Sequence, residues 1–409
     1  MKDISFEAQM LHSPYPKGDA HHALAMPVYQ TVAYEFDTAE AMEEAFCGRT
    51  SDHAYSRITN PTVEYFEQRI RQAAGATHVT ALNSGMAAIS SALITCAGAG
   101  ANIVASPHLF GNTYVLLKTT LANLGIETRF CNLSDPDQAR AAIDSRTCAL
   151  FLETISNPQM EVADLRALSA VCREANIPLI ADTTIVPFPI FRASDFGIDI
   201  ELVSSTKYIS GGATGLGGLI IDYATFDWRS NPILKNWGDT PRDAFNTRLR
   251  REVHRNLGAY MTPQTASAQI LGLETLNLRF QRQAATALDL ARQLQSLPRI
   301  TSVNYPGLEG NPCYDISRAQ FGPLPGAMLT FDMSSRTECF NLINRLKLIR
   351  RATNLFDNRS LIIHPASTIY GSFTEEMRRS MDVRQETIRL SVGLENTADL
   401  LADISQAIS

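Results

Sequence analysis

The sequence has no long apolar run, no basic cluster and no secretion signal. No stretch approaches the ~18 consecutive apolar residues that a membrane-spanning helix needs, and the N-terminal MKDISFEAQM has acidic residues where a signal peptide has an apolar segment. Lys and Arg number 36 and Asp and Glu 42, so the formal charge is −6, and the cations do not form the runs that bind phosphate backbones. We therefore expect no membrane or nucleic-acid partner and a cytoplasmic location.

Closely spaced metal or redox ligands are also missing. The seven cysteines are scattered without a C-x-x-C pair, and no H-E-x-x-H spacing occurs. Structural zinc sites and dithiol redox sites need such spacings. We expect free thiols that mostly pack as small apolar residues, and no bound metal.

The chain does have the composition of a folded protein. Its 409 residues, 45% hydrophobic and 19% charged, suffice for two or three domains, and no internal repeat or low-complexity segment divides them. Residues 1–60 mix Pro, Tyr and polar residues with one helical stretch, Ala39–Phe46, and offer little core of their own. We predict that this segment is an arm that contributes to a neighbouring subunit.

Short apolar runs alternate with helical segments over the next part of the chain. The runs are HVTAL, NIVAS, IETRF, CALFLE, PLIAD and IELVSS, and helices are predicted from Gly85 and over residues 113–124, 136–143 and 162–174. Such alternation implies crossover units and a mostly parallel sheet covered on both faces. We predict an α/β domain over residues 61–250.

The pattern changes after residue 250. A long helical stretch covers residues 262–297, and the candidate strands AMLTFDM, SLIIHP and TIRLSV follow, with helices around residues 337–346 and 397–408. This arrangement predicts a smaller α+β domain over residues 251–409.

A lysine, an aspartate and a helix start each follow a predicted strand of the parallel sheet. Lys207, in SSTKYISGG among small neighbours, can form a Schiff base because desolvation lowers the pKa of its amine. Asp182, at the end of PLIAD, can hold the protonated ring nitrogen of pyridoxal phosphate, and the N–H groups of the helix start in NSGMAA, residues 83–88, can bind a phosphate. Each feature alone has an ordinary structural explanation. Together they indicate a cofactor site at the carboxyl edge of the sheet.

With these features in this order, the sequence resembles the Cys/Met-metabolism group of pyridoxal-phosphate enzymes, which includes cystathionine synthases and lyases, methionine gamma-lyase and homocysteine synthase. The resemblance covers about residues 20–405. It rests on YSRITNPT, NSGMAA, SNP, ADTT, SSTKYISGG, HPAST and IRLSVGLE. It implies fold type I of the pyridoxal-phosphate transferases and a homotetramer built from dimers with shared active sites.

The resemblance also implies roles around the cofactor, pyridoxal 5'-phosphate. Lys207 would carry it covalently, Asp182 would pair with its ring nitrogen, and Asn157 would contact its ring hydroxyl. Phe110 would stack on its ring. The implied phosphate contacts are Gly85, Met86, Ser204 and Thr206, with Tyr55 and Arg57 reaching the cofactor of the neighbouring subunit.

For the substrate, the resemblance implies that Arg389 binds the α-carboxylate, a task that suits its planar bidentate guanidinium. Asn354, in ATNLFD, resembles the homocysteine synthases, whereas many relatives of the lyase branch have serine there. Asn112 stands where methionine gamma-lyase has a cysteine. These positions favour the homocysteine-synthase branch.

Phe110 departs from the family pattern. The family usually has a tyrosine here, stacked on the cofactor ring and able to donate a proton to a leaving group, and HLFGNTY keeps the ring without the hydroxyl. A carboxylate expelled from an acylated homoserine has a conjugate-acid pKa of ~4–5 and needs little protonation, whereas a thiolate is far more basic. The missing acid therefore harms a lyase more, unless Tyr55 or Tyr114 replaces it.

We predict a γ-replacement enzyme with Lys207, Tyr55 and Phe110 as catalytic residues. It would act on an O-acylhomoserine, with acetyl preferred, and on sulfide or a small thiol. One alternative is a lyase that performs γ-elimination on methionine, cystathionine or homocysteine. The other is a regulatory protein that binds the cofactor without turnover.

Overall fold

Two β sheets organise the described part of the chain, which in this computed structural model comprises residues 4–15, 18, 19 and 21–408. The strands are β1 His78–Leu82, β2 Asn102–Ala105, β3 Glu127–Phe130, β4 Thr147–Glu153, β5 Leu179–Asp182, β6 Ile200–Val203, β7 Gly218–Asp222, β8 Ser302–Asn304, β9 Met328–Asp332, β10 Arg350–Arg351, β11 Leu361–Ile363 and β12 Thr387–Ser391. Within the described residues, β1 to β7 form one sheet in the order β1-β7-β6-β5-β4-β2-β3, and β8 to β12 form the other in the order β10-β11-β12-β9-β8.

Helices surround both sheets. They are α1 Phe6–His12, α2 Ala39–Phe46, α3 Pro61–Ala74, α4 Gly85–Cys96, α5 Gly111–Val115, α6 Pro136–Ala142, α7 Leu165–Ala175, α8 Ala244–Arg248, α9 Arg255–Leu257, α10 Pro263–Glu274, α11 Leu276–Leu294, α12 Tyr314–Phe321, α13 Arg336–Arg345, α14 Glu375–Ser380 and α15 Thr397–Ile408. π-helical turns over Leu116–Leu121 and Leu249–His254 continue α5 and α8. None of the helices in the described ranges is long and apolar enough to cross a membrane.

The larger sheet is buried on both faces. Along β4, Leu150 and Leu152 pack into one hydrophobic cluster, whereas Ala149 and Phe151 pack into a second one. Successive side chains of a strand point to opposite faces, so helices must cover both sides. Strands β2 to β6 run parallel, which confirms the predicted α/β fold with a mostly parallel sheet.

Strand β7 is one element that the sequence pattern did not predict. It runs antiparallel between β1 and β6. An antiparallel neighbour needs no crossover helix, and the glycine-rich stretch before β7 supplies none. The alternation of strands and helices therefore does not reveal it.

The long helical stretch predicted over residues 262–297 is two helices, α10 and α11, which meet at Thr275. The hydroxyl of Thr275 donates to the carbonyl oxygen of Gly272 at 3.5 Å, and the guanidinium of Arg279 donates to the same oxygen at 2.6 Å. Side-chain bonds of this kind compete with the helical hydrogen-bond pattern. The helix α1 was also missed, because it lies in a segment that shows little apolar periodicity.

The smaller sheet is mostly antiparallel and supports the α+β description of the C-terminal part. Strand β12 pairs antiparallel with β9 and β11, and only β10 pairs parallel among the described strands of this sheet. Helices α13 and α15 pack against each other beside it. The domain boundaries at residues 60 and 250 stay predictions.

All seven cysteines lie in the described part of the chain and are free thiols. Cys96, Cys148, Cys172 and Cys339 are buried, Cys131 and Cys313 are half-buried, and Cys47 is exposed. Most of them therefore pack in apolar surroundings, as expected from their spacing.

The contact between α10 and the turn after Lys207 depends on a glycine. A Cβ atom added at Gly272 would overlap the carbonyl oxygen of Ile209, which is backbone and cannot rotate away. We expect Gly272→Ala to lower the free energy of unfolding by about 1–3 kcal/mol, as overpacking does. Gly98→Ala is the control, because its Cβ would meet only the flexible end of Ile233. Denaturant unfolding of both variants measures the difference, and equal losses would contradict this account of the contact.

Candidate active site

A cavity of about 230 Å³ lies at the carboxyl ends of β4, β5 and β6. Parallel strands place these ends at one edge of the sheet, where ligands bind in open α/β folds. Most of the predicted site residues line this cavity: Gly85, Met86, Phe110, Asn157, Asp182, Ser204, Thr206, Lys207 and Arg389. Asn354 does not line the cavity but accepts a hydrogen bond from Lys207, which does. Tyr55 and Arg57 are not among the residues that line it.

Lys207 follows β6 and projects its amine into the cavity. Its Nζ donates a hydrogen bond to Oδ1 of Asn354 at 2.8 Å. Burial, and then the positive charge of Arg389, lower the pKa of Lys207 to about 8, although the charge of Asp182 opposes them. A much larger fraction of the amine is therefore neutral near neutral pH than in an ordinary lysine, as a nucleophilic lysine requires.

Two carboxylates end neighbouring strands in the cavity. Asp182 ends β5 and Glu153 ends β4, and the two residues are partners in the register of the sheet. Burial raises the pKa of Asp182, although its hydrogen bonds with Thr184 and the charge of Lys207 oppose the shift. Burial also raises the pKa of Glu153, and the charge of Asp182 adds to it. A cationic ring nitrogen beside Asp182 would reduce the electrostatic repulsion between the two neighbouring acids.

The start of α4 forms the side of the cavity that suits a phosphate. Ser84 caps the helix by accepting the N–H of Ala87 at 3.1 Å, and Gly85 and Met86 follow. A Cβ at Gly85 would lie 2.7 Å from Cβ of Ser204, so only glycine lets this helix start approach the loop after β6. The first N–H groups of a helix have no partner within it and bind anions.

Thr206 lines the same side, but its hydroxyl is already engaged. Its Oγ1 donates to the carbonyl oxygen of Gly217 at 3.1 Å and accepts the N–H of Gly217 at 3.0 Å. Thr206 therefore fixes the loop after β6. The backbone N–H of Ser204 is held by Oγ1 of Thr184 at 2.8 Å.

Arg389 comes from β12 of the smaller sheet and is buried in the cavity wall. It donates to Oδ1 of Asn157 at 3.0 Å and to the carbonyl oxygen of Asn354 at 3.4 Å. Within the described part of the chain its Nε is buried without a hydrogen-bond partner. Burial lowers the pKa of Arg389 to about 10, which leaves it protonated at neutral pH. Such a guanidinium fits a substrate carboxylate.

Tyr55 and Arg57 lie on the N-terminal arm, away from the cavity of the same chain. Tyr55 is 36% exposed, and the guanidinium of Arg57 donates to the carbonyl oxygen of Arg255. Their predicted action on the cofactor of a neighbouring subunit stays a prediction.

Several contributors were missed by sequence reasoning. Glu153 ends CALFLE as Asp182 ends PLIAD, so the same strand-end signal could have identified it. Tyr370 is fully buried behind the cavity, and its hydroxyl donates to the carbonyl oxygens of Leu109 at 2.8 Å and Asn157 at 2.9 Å. No local sequence pattern predicts these hydrogen bonds of Tyr370, because their partners lie more than 200 positions earlier in the chain.

Comparison with known proteins gives the same assignment as the geometry. The family described as Cys/Met metabolism PLP-dependent enzymes matches residues 7–409. An O-acetyl-L-homoserine sulfhydrylase of Corynebacterium glutamicum is 35% identical over 417 residues, covering 98% of this chain and 95% of the relative. The chain belongs to the Cys/Met-metabolism family of PLP-dependent enzymes.

Two solved structures of the family are similar to this one. The structure described as a putative O-acetylhomoserine (thiol)-lyase of Campylobacter jejuni, with a pyridoxyl-lysine at its position 205, superposes with a TM-score of 0.93 at 33% identity and covers 99% of this chain and 100% of that chain. An O-acetylhomoserine sulfhydrylase of Wolinella succinogenes is 44% identical, with a TM-score of 0.78, and covers 87% of this chain and 99% of that chain. These similarities confirm fold type I and pyridoxal 5'-phosphate as the cofactor.

The residues of the cavity fit this cofactor. The start of α4 suits its phosphate, Asp182 its ring nitrogen, Asn157 its ring hydroxyl and Lys207 its aldehyde carbon. When bound, the cofactor withdraws electrons from the substrate Cα and so weakens the Cα–H bond. The unpartnered Nε of buried Arg389 remains for a carboxylate of the substrate.

The pKa of Lys207 leads to a prediction for the protein stripped of cofactor. Only the neutral amine attacks an aldehyde, so the rate of cofactor capture should rise as the pH increases through about 8 and then level off. Stopped-flow measurement of the visible absorption band of the bound cofactor records this rate. Lys207→Ala should lack the band, which controls for noncovalent binding. A rate that keeps rising beyond pH 10 would contradict the lowered pKa.

Proposed function

We propose that this chain catalyses γ-replacement on an O-acylhomoserine, with acetyl as the preferred acyl group. The bond between Cγ and the ester oxygen breaks, and the acyloxy group leaves as a carboxylate. The sulfur of sulfide or a small thiol then bonds to Cγ. The product is homocysteine or a related thioether. The relatives described above carry the name O-acetylhomoserine sulfhydrylase, which supports this substrate class.

The observation that carries the proposal is that the described residues of one chain that line the cavity include no phenol, so that the only phenol the proposed assembly would add is Tyr55 of a neighbouring subunit. Phe110 lines it without a hydroxyl. Tyr114, the other candidate acid on the same chain, is 6% exposed and stacks on Phe130 at 4.8 Å between ring centroids, outside the cavity lining. Burial also raises the pKa of Tyr114 above its ordinary value. A leaving group that departs as a stable carboxylate needs no such acid.

The proposed roles follow from the positions of the groups. Arg389 binds the α-carboxylate and thereby orients Cα toward Lys207. The Nζ of Lys207 takes the proton from Cα, since its lowered pKa makes the neutral form available. Asn354 holds that amine at 2.8 Å between transfers.

The surroundings of these groups shape the reaction space. Ile155, Ile185, Leu355 and Ile369 provide apolar walls to the cavity. Apolar walls exclude water, which would otherwise compete with the sulfur nucleophile.

The assembly and the location belong to the same proposal. A homotetramer of dimers with shared sites would bring Tyr55 and Arg57 of one subunit to the cavity of another, which accounts for two predicted site residues that do not line the cavity of their own chain. Exposed apolar side chains on the arm, such as Leu24 at 106% and Val32 at 63%, offer surface for that contact. A biosynthetic enzyme of this composition would work in the cytoplasm.

The first test concerns the leaving group. The wild type should convert O-acetylhomoserine with sulfide much faster than it eliminates thiol from methionine. Phe110→Tyr should raise methionine elimination relative to acyl replacement, by up to the ~10²–10⁴-fold that general-acid assistance supplies. Mass analysis of products from competing substrates, with and without sulfide, measures the ratio.

Tyr114→Phe is the control for this test and should leave the ratio unchanged, because the ring packs on Phe130 and the hydroxyl is hydrogen-bonded to Ser380, outside the cavity lining. Comparable wild-type rates on methionine and O-acetylhomoserine would overturn the argument from the leaving group and favour a lyase. Cofactor binding without conversion of either substrate would favour a regulatory protein.

The second test concerns the shared site. Arg57→Ala and Lys207→Ala preparations are mixed under conditions that exchange subunits, so that some mixed dimers regain one site with both residues intact. We expect activity above the sum of the parents. The control mixture of Asp182→Asn with Lys207→Ala should show no gain over its parents, because Asp182 and Lys207 line the cavity of the same chain and every cavity of a mixed dimer keeps one of the two defects. Activity no higher than the parents despite demonstrated exchange would argue for a site within one chain.

A further inference from the structure

Glu153 holds two backbone N–H groups of the cavity wall. Its Oε1 accepts the N–H of Phe110 at 2.6 Å, and its Oε2 accepts the N–H of Asn157 at 3.3 Å. Each oxygen thus fixes a different loop, one after β2 and one after β4. The side chain itself also lines the cavity.

Tyr370 holds the same two loops by their carbonyl groups. Its hydroxyl donates to the carbonyl oxygens of Leu109 and Asn157, at 2.8 and 2.9 Å. The peptide groups on both sides of Asn157 are therefore bound, one through its N–H and one through its C=O. Tyr370 is fully buried, so no water replaces these contacts.

We propose that Glu153 and Tyr370 are positioning residues that fix the ring of Phe110 and, through Asn157, the guanidinium of Arg389. Asn157 is the link, because its Oδ1 accepts the hydrogen bond of Arg389 at 3.0 Å. Neither Glu153 nor Tyr370 contacts Arg389 in the described hydrogen bonds. Their effect on the substrate carboxylate passes through the backbone of Asn157.

The chemistry of the four contacts explains the residue types. A backbone N–H can only donate, and a carbonyl oxygen can only accept. The two N–H groups therefore need two acceptor oxygens, which a carboxylate supplies. The two carbonyl groups share one donor, the single O–H of the phenol. Small errors in the placement of such groups reduce rates strongly, up to about 10²-fold for a displacement of about 1 Å.

This inference rests on the proposed function only through the α-carboxylate that Arg389 binds. It makes no use of the leaving group. A probe with an α-carboxylate and no leaving group on Cγ, L-norvaline, therefore tests it separately from O-acetylhomoserine conversion.

Glu153→Gln is the principal variant, and Glu201→Gln is its matched control. Glutamine keeps the size, but its amide nitrogen faces one N–H group and cannot accept from it. Glu201 is a buried acid on β6, which β5 separates from β4, and its oxygens accept from the hydroxyls of Thr183 and Tyr223, each at 2.5 Å. Hydroxyls can reverse their role toward an amide, so this control keeps both contacts.

The measurements are made on the protein loaded with cofactor. We expect Glu153→Gln to keep its cofactor content, to change the circular dichroism of the bound cofactor, and to raise the Kd for L-norvaline about tenfold or more. Glu201→Gln should leave both signals within about twofold. A Kd of Glu153→Gln within twofold of the wild type would overturn the proposal. A purely structural role would lower the unfolding midpoint of both variants without separating their Kd values.

Tyr370→Phe gives an independent test if Glu153→Gln does not fold. It removes only the hydroxyl and should raise the Kd for L-norvaline in the same direction. If both variants fold, the double variant should show a smaller loss than the product of the single losses, because both side chains hold the same two loops. An unchanged Kd in Tyr370→Phe, or independent losses in the double variant, would overturn the proposal. If the wild type does not convert O-acetylhomoserine, that result contradicts the proposed function and leaves this inference standing.

Discussion

Lys207, Arg389, Asp182 and Glu153 line one enclosed cavity, and burial makes the charged form of each of them costly. The cost falls on two basic and two acidic groups that lie close enough to influence one another. Arg389 lowers the pKa of Lys207, and Asp182 opposes that shift while raising the pKa of Glu153. The reactivity of the lysine is therefore a property of the group as a whole. The fold has to hold all four side chains in place for any one of them to have its pKa.

Two sheets share this task. The acids end strands of the parallel sheet and the lysine follows one, whereas Arg389 lies on β12 of the C-terminal sheet and Asn354 in the loop between β10 and β11. The contacts of Asn354 with Lys207 and of Arg389 with Asn157 join the two parts. Since each contact pairs one residue from either side, the cavity is complete only when both parts are folded against each other.

Position 110 separates two properties of an aromatic side chain. Phe110 presents a ring without a hydroxyl to the cavity, and Oε1 of Glu153 accepts its backbone N–H at 2.6 Å. The ring is therefore held while the acid is missing. The backbone N–H of residue 110 fixes the position of its ring, whereas proton donation would need a side-chain hydroxyl. The two properties are therefore separable by substitution.

The parallel sheet and the two residues at its carboxyl edge, Lys207 and Asp182, were predictable from the sequence alone. Lys207 and Asp182 could be identified because each follows a short apolar run, and the order of the runs places their ends at one edge. The same local signal was present for Glu153. Residues whose importance depends on distant partners were not accessible in this way. The antiparallel place of β7, the break at Thr275 and the contacts of Tyr370 were decided by the tertiary structure, as was the burial of Tyr114 away from the cavity. The physical reason is that periodicity and strand ends are local properties of the chain, whereas hydrogen bonds and packing between segments hundreds of residues apart form only when the sheets and helices come together.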